Sequence, residues 1–298
     1  MRVMATRART PLALRARSFP VVGGGGTVDF KKLREMAGDP KFISGIYNYC
    51  DRWCERCEFT SRCLNYSMSH EDERDPASRD IQNKAFWERL HSVFQQTVEM
   101  VREDAAERGI DLEMTPEEME EFRQEESRKR KAAKNHPAAK AAWKYVKMAD
   151  KWFKDNRGLF EDEERRLNRA LLMQLPGQDA EEEAASLQDA LEVIGWYQHQ
   201  IWVKLQRALH GEDRPELLDD DGKPFPRDSD GSAKVSLLGI DRSVEAWGVL
   251  RRFLPVETDS ILDILVQLDR VRGLTEKAFP EARAFVRPGF DGPIPPEP

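Results

Sequence analysis

The sequence predicts an all-α fold, a multi-helix bundle with an N-terminal four-cysteine helix–loop segment, and three observations predict it. Apolar residues recur at three- and four-residue spacing through most of the chain. Capping residues, prolines at first helical positions and glycine stops punctuate those stretches. No run alternates Val, Ile, Thr or aromatic residues with polar ones, as a half-buried strand requires.

Taken in order, residues 1–26 (MRVMATRARTPLALRARSFPVVGGGG) hold five arginines and no acid. They lack an apolar core of export-signal length and a twin-arginine pair. They read as a disordered extension, an organelle-targeting peptide or a start assigned too far upstream, with Gly23–Gly26 as a flexible break. Leader and linker are assigned to 1–28, with folding expected from about Asp29. Asp39-Pro40 reads as an N-cap followed by proline at the first helical position. Phe42, Ile43, Ile46, Tyr47, Cys50, Cys54 and Cys57 follow at helical spacing, inside a segment assigned to 29–72. His70–Asp80 is a polar connection containing Pro76.

A bundle is expected over 78–285. Its first helix runs from about Asp80 to Arg108, with Phe86, Leu90, Val93, Phe94, Val98 and Val101 inward and Gly109 as its stop. Thr115-Pro116-Glu117-Glu118 is a capping box with proline at N1, and its helix is acidic first and basic last, matching the macrodipole. Asn135-His136-Pro137 interrupts it. The next helix runs to about Asn156, with Ala142, Tyr145, Ala149 and Trp152 on one face. A shorter helix covers Asp162 to Leu175 and ends at Pro176-Gly177. The longest runs from Asp179 to His210 on a stripe of Leu187, Leu191, Ile194, Ile201, Leu205 and Ala208, with Gly211 as its stop. Residues 211–236, rich in Pro, Gly and Asp, read as an acidic loop. Helices resume over Asp241–Leu254, Asp259–Arg272 and Thr275–Phe285, and the Pro-rich tail 286–298 is expected to be disordered.

Composition narrows the classes of function. Charged residues are 34% and hydrophobic residues 40%, which is charge-rich but globular. No apolar run approaches the eighteen or so residues of a membrane span, so a soluble, intracellular and cytoplasmic protein is expected, with no membrane partner. The net charge is −7, and outside the leader 42 basic residues face 54 acids. There is no Gly-rich phosphate loop, no G-x-S-x-G and no H-E-x-x-H, and no catalytic residue is assigned.

All four cysteines lie within fourteen residues of YCDRWCERCEFTSRC: Cys50, Cys54, Cys57 and Cys63. Four thiolates complete a tetrahedral zinc site or a [4Fe–4S] cluster. On a helix, Cys50, Cys54 and Cys57 at i, i+4 and i+7 share a face, and a turn at Phe59-Thr60-Ser61 returns Cys63. Zinc more often uses two separated C-x2-C pairs, and only one is present, so the compact segment favours a [4Fe–4S] cluster over zinc. A redox disulfide pair and a buried face on which cysteine is merely a small hydrophobe stay open. Arg52, Arg56 and Arg62 are placed to offset cluster charge, and Tyr47, Trp53, Phe59 and Tyr66 to exclude water.

The last three cysteines, C-x2-C-x5-C, resemble the cluster loop of the endonuclease III/MutY family of DNA glycosylases. The resemblance implies that Cys54, Cys57 and Cys63 are ligands and Cys50 the fourth. It spans about fourteen residues and implies no enzyme activity, because no helix–hairpin–helix with a catalytic aspartate accompanies it.

Two weaker signals remain. Glu88 and His91 form an E-x-x-H which, with Glu192 and His199, could serve a di-metal bundle. Arg128 to Lys154 holds ten basic residues and one acid. Within it Lys140, Lys144, Lys147, Lys151 and Lys154 form a stripe, with Trp143, Trp152 and Phe153 interleaved. The stripe is either solvated and paired with the protein's own acids or an anion-binding face for nucleic acid or an acidic protein. The leading expectation is a cluster protein with a redox or structural role and a redox partner protein. The alternative is a zinc-stabilised binding module that uses the lysine stripe.

Overall fold

The computed structural model describes residues 35–72, 80–173, 180–212 and 227–292. The leader, the glycine linker, Pro176-Gly177, most of the acidic loop and the last residues of the tail lie outside them. Every regular element among the described residues is helical and no strand occurs, as expected. The α-helices are α1 (Leu64–Asp72), α2 (Lys84–Glu107), α3 (Pro116–Asn135), α4 (Pro137–Asp155), α5 (Arg157–Met173), α6 (Ala180–His210), α7 (Asp228–Phe253) and α8 (Thr258–Ala278). The chain divides into two compact units, and the division falls at Ala132/Ala133, inside α3. Of the described residues, one unit holds 133–283 and the other 35–132 with 284–292.

In the first unit α4, α6, α7 and α8 form an up-and-down four-helix bundle. Gln198 Nε2 of α6 donates to Val146 O at 3.2 Å, and Trp143 meets Trp202, so α4 and α6 run antiparallel. Ser236 Oγ donates to Ile201 O at 3.1 Å and Arg207 pairs with Asp228 at 2.6 Å, which sets α7 antiparallel to α6. Gln267 Nε2 donates to Ala141 O at 2.8 Å and Trp152 Nε1 to Ser260 Oγ at 2.9 Å, which does the same for α4 and α8. Ala142, Tyr145, Ala149 and Trp152 are buried, as their spacing predicted. Trp247 Nε1 donates to the Tyr145 hydroxyl at 3.2 Å, and burial pushes that phenol up to about 12. Each of these donors is partnered inside the core, as low-dielectric burial demands.

Two expectations for this unit are corrected. Helix α7 begins at Asp228, so the loop assigned to 211–236 ends near residue 227. Asp228 and Asp230 suit the positive end of a helix dipole, and Gly231, Ser232, Ala233, Ser236 and Gly239 are small enough for α7 to lie close on α6. A Cβ at Gly239 would stand 2.9 Å from the Tyr197 ring. The expected break between Arg272 and Thr275 is also absent, because α8 runs unbroken to Ala278.

In the second unit, α2 starts at an Asn83 cap whose side chain accepts from Ala85 N at 3.0 Å. It ends in a Schellman motif: Gly109 takes φ +68, its N–H donates to Ala106 O, and Ile110 N donates to Ala105 O. The inward face expected for α2 is corrected. Phe86, Leu90 and Val93 are half-buried, but Phe94, Val98 and Val101 are 62%, 48% and 48% exposed. The capping box of α3 forms in both directions, Thr115 N to Glu118 Oε2 at 2.8 Å and Glu118 N to Thr115 Oγ1 at 3.2 Å.

Candidate metal centre

The cysteine segment is corrected from a helix to a chain of tight turns. Lys41 N donates to Asp39 Oδ1 at 2.8 Å and Phe42 N to Asp39 O at 3.0 Å, so Asp39 caps a turn and no α-helix follows. Three 3₁₀ turns follow, at Ile46–Asn48, Cys54–Arg56 and Thr60–Arg62. Gly45 enters the first at φ +72. Arg52 takes φ +56, a left-handed conformation that no α-helix through Cys50 and Cys54 can contain. The shared helical face is therefore replaced by turns. Cys57 N donates to Cys54 O at 3.2 Å, and Cys63 N closes the last turn on Thr60 O at 3.3 Å. The turn expected after Cys57 is present.

The folded segment gathers all four thiols. None is in a disulfide, and each is half-buried. The Cys54 thiol is pushed up to about 11 by burial first and then by Cys50, Cys63, Cys57 and Glu55. Burial also raises Cys57, opposed by a hydrogen bond from the Phe59 backbone and reinforced by Cys50, Asp51 and Cys63. Gathering is not convergence. Among the described residues no three His, Cys, Asp or Glu side chains stand together closely enough to hold a metal ion. Cys50 Sγ is turned toward Tyr47 O at 3.5 Å.

An apolar floor supports the thiols. Ile43, Ile46 and Phe59 are buried together, with Tyr47, Cys57, Cys63 and Phe290 packed on them. Arg62 is 7% exposed, its Nε donates to Lys41 O at 3.2 Å, and its carbonyl accepts from Ile43 N at 3.0 Å, which ties the last turn to the first. Arg56 stacks on buried Trp53 with its guanidinium carbon 4.0 Å from the ring centroid, and Arg52 is exposed. Tyr66 is half-buried on α1, a helix that the polar sequence had hidden.

A second element of this floor went unread in the sequence. Residues 286–292, expected to be disordered tail, form turns on the cysteine segment. Phe290 meets Phe59 edge-on, and Phe285 meets Tyr49 with centroids 4.7 Å apart. Gly289 takes φ +78, and a Cβ there would stand 2.9 Å from Ile46 Cδ1. The signal that could have found it is the pairing of aromatic and glycine in RPGFDG, since a disordered Pro-rich tail has no use for a φ-positive glycine beside a large ring.

The other candidates disperse. Glu88 pairs with Lys84 at 2.8 Å, Glu192 accepts from Gln188 at 3.0 Å, and His91 and His199 are exposed. Lys140, Lys144, Lys147, Lys151 and Lys154 all lie exposed along α4, and Lys151 pairs with Asp155. No helix among the described residues is long and apolar enough to cross a membrane. Comparison with protein-family models, with curated proteins and with solved structures finds no match to this chain.

Proposed function

We propose that Cys50, Cys54, Cys57 and Cys63 hold one metal centre, a [4Fe–4S] cluster in preference to zinc, with a redox or structural role. One observation carries the proposal. Every cysteine of the chain sits half-buried in one tightly turned segment, where the thiols bear on each other's ionisation. Four soft donors on an apolar floor suit an iron–sulfur cluster, which carries about two negative charges when all four thiolates ligate it. A single tight segment departs from the paired knuckles of most zinc sites.

This chain's residues supply the rest. Ile43, Ile46, Phe59 and Phe290 would keep water from the sulfurs, and buried Arg62 beside Cys63 would offset charge. Ligation would turn Cys50 Sγ away from Tyr47 O. Thiols held protonated by burial must lose their protons to ligate, so metal affinity should rise with pH. A bound cluster could accept and return one electron, and a redox partner protein would then be required.

The test is a set of four single Cys→Ala variants, purified anaerobically beside the wild type. The proposal expects a brown wild type and loss of colour in every variant. A variant that keeps full colour removes that cysteine from the ligand set. A colourless wild type with stoichiometric zinc replaces the cluster by zinc in the same site.

A further inference from the structure

The lysine stripe on α4 is not absorbed by the metal centre, and its surroundings can be read from the bundle. All five lysines are exposed. On a helix rising 1.5 Å per residue, Lys140 to Lys154 spans about 21 Å of one face. Lys151 pairs with Asp155, and no carboxylate lies within ion-pair distance of Lys140, Lys144, Lys147 or Lys154 among the described residues. Several of the chain's acids are engaged elsewhere. Asp150 accepts from Gln198 Nε2 at 2.6 Å, and Glu163 and Glu183 both hold Arg166, at 2.7 and 2.6 Å. Glu125 holds Lys129 at 2.7 Å, and Glu118 is held in its own helix cap. Like charges left side by side in a chain of net charge −7 are not what self-neutralisation produces.

Aromatic rings flank the lysines. Trp143 sits between Lys140 and Lys144 in sequence, is 43% exposed, and meets Trp202 of α6 with centroids 5.0 Å apart and planes inclined at 50°. Val203 beside Trp202 is 52% exposed, and His199, one turn away, is exposed. Trp143, Trp202 and Val203 together make an apolar patch rimmed by cations, the kind of surface that marks an interaction site. An acidic polypeptide would satisfy the lysines but offers few flat faces to the rings. A nucleic-acid single strand offers both, phosphates for the ladder and bases for the indoles. Duplex fits less well, since its bases are stacked away from the rings and its higher charge density meets a protein of like net charge.

We infer that the α4 lysine face and the Trp143–Trp202 pair form a binding surface for single-stranded nucleic acid. The surface belongs to the bundle and does not rest on the metal centre. Lys140, Lys144, Lys147 and Lys154 contact phosphates and Trp143 stacks a base. The length of the face suits a site at the low end of the roughly 4–16 nucleotides that such surfaces take.

The full chain is titrated into a labelled oligothymidine of about 12 nucleotides across a salt series, with fluorescence anisotropy as readout. The expected result is binding at low salt with a steep negative slope of log K against log salt. Lys144→Gln, Lys147→Gln and Lys154→Gln together flatten that slope by about 2, since each single-strand contact contributes about 0.7. Trp143→Ala weakens binding about 5- to 160-fold at unchanged slope, and Trp143→Phe, which keeps a stacking face, recovers much of the loss. Melting temperatures of all variants separate binding loss from unfolding. No binding at low salt overturns the inference, as does a slope that the triple lysine change leaves intact. Equal or tighter binding of a labelled poly-glutamate peptide reassigns the face to an acidic protein and also overturns it.

Discussion

Phe290 meets Phe59 edge to face, with centroids 5.1 Å apart and planes at 82°, so a residue 231 positions later in the chain helps to floor the cysteine segment. Edge-to-face pairs add about 0.5–1.5 kcal/mol to the area they bury. Phe290→Ala should therefore loosen the segment. Because Phe290 is only half-buried, the expected cost is about 1–2 kcal/mol, below the ~3–5 of a fully buried phenylalanine. Hydrogen exchange should rise over residues 43–63 and stay unchanged over α6 and α7. Unchanged exchange over 43–63 would show that the C-terminal turn contributes nothing to the floor.

The bundle makes a paired prediction from two glycines of α7. A Cβ at Gly239 would meet Tyr197 at 2.9 Å and Ile201 at 3.2 Å, whereas at Gly248 nothing lies within 4 Å. Gly239→Ala should destabilise by about 1–3 kcal/mol through overpacking. Gly248→Ala should stabilise by about 0.5–1 kcal/mol, because alanine lowers the entropy cost of a helical position. Melting curves of the two variants decide it, and shifts of the same sign would contradict the close approach of α6 and α7.

Ionisation of Cys54 sets a pH dependence. Its folded pKa is raised from 9.0 to about 11. The unfolded chain therefore loses this proton first, and the stability involved is fully present below about pH 9 and lost as pH rises towards 11. In metal-free protein, alkylation of Cys54 should stay slow at neutral pH and climb until about pH 11, because only the thiolate reacts. Peptide-resolved mass spectrometry across a pH series reads it, with denatured protein as the reference inflecting near 9. An inflection at or below 9 in folded protein would place Cys54 in solvent.

Local chemistry made much of the fold legible. Thr115 and Glu118 close the capping box, Gly109 stops α2 in the left-handed region, and His136-Pro137 starts α4, with His136 Nδ1 accepting from Ala138 N at 3.2 Å. What was misread depends on distant partners. The first three turns of α7 looked like loop because Gly231, Ser232 and Ser236 are poor helix formers in isolation, and they are helical because small residues let α7 lie close on α6. Phe94, Val98 and Val101 have helical periodicity but remain exposed, since period reports a face and not what covers it. Phe42 to Cys57 also has helical period, yet 3₁₀ turns produce similar i, i+3 recurrences, and the left-handed Arg52 carries no sequence signal of its own. At the candidate site the cysteine cluster could be read from the sequence alone, while the contribution of Gly289 and Phe290 to the floor beneath it could not.

Metal loading should stabilise the segment more than the bundle, because so short a stretch buries little of its own and metal binding becomes folding free energy. Stripping metal with a chelator is expected to open residues 39–66 to protease while α4 to α8 remain resistant. Equal resistance with and without metal would mean that the cysteines are only packing atoms.

Iron and acid-labile sulfide per chain, measured on anaerobically purified wild-type protein, test the central claim most directly. A [4Fe–4S] centre on Cys50, Cys54, Cys57 and Cys63 predicts about four of each, falling together when any of the four is replaced. Protein that carries neither iron nor sulfide, and takes up neither when reconstituted under reducing conditions, would contradict it.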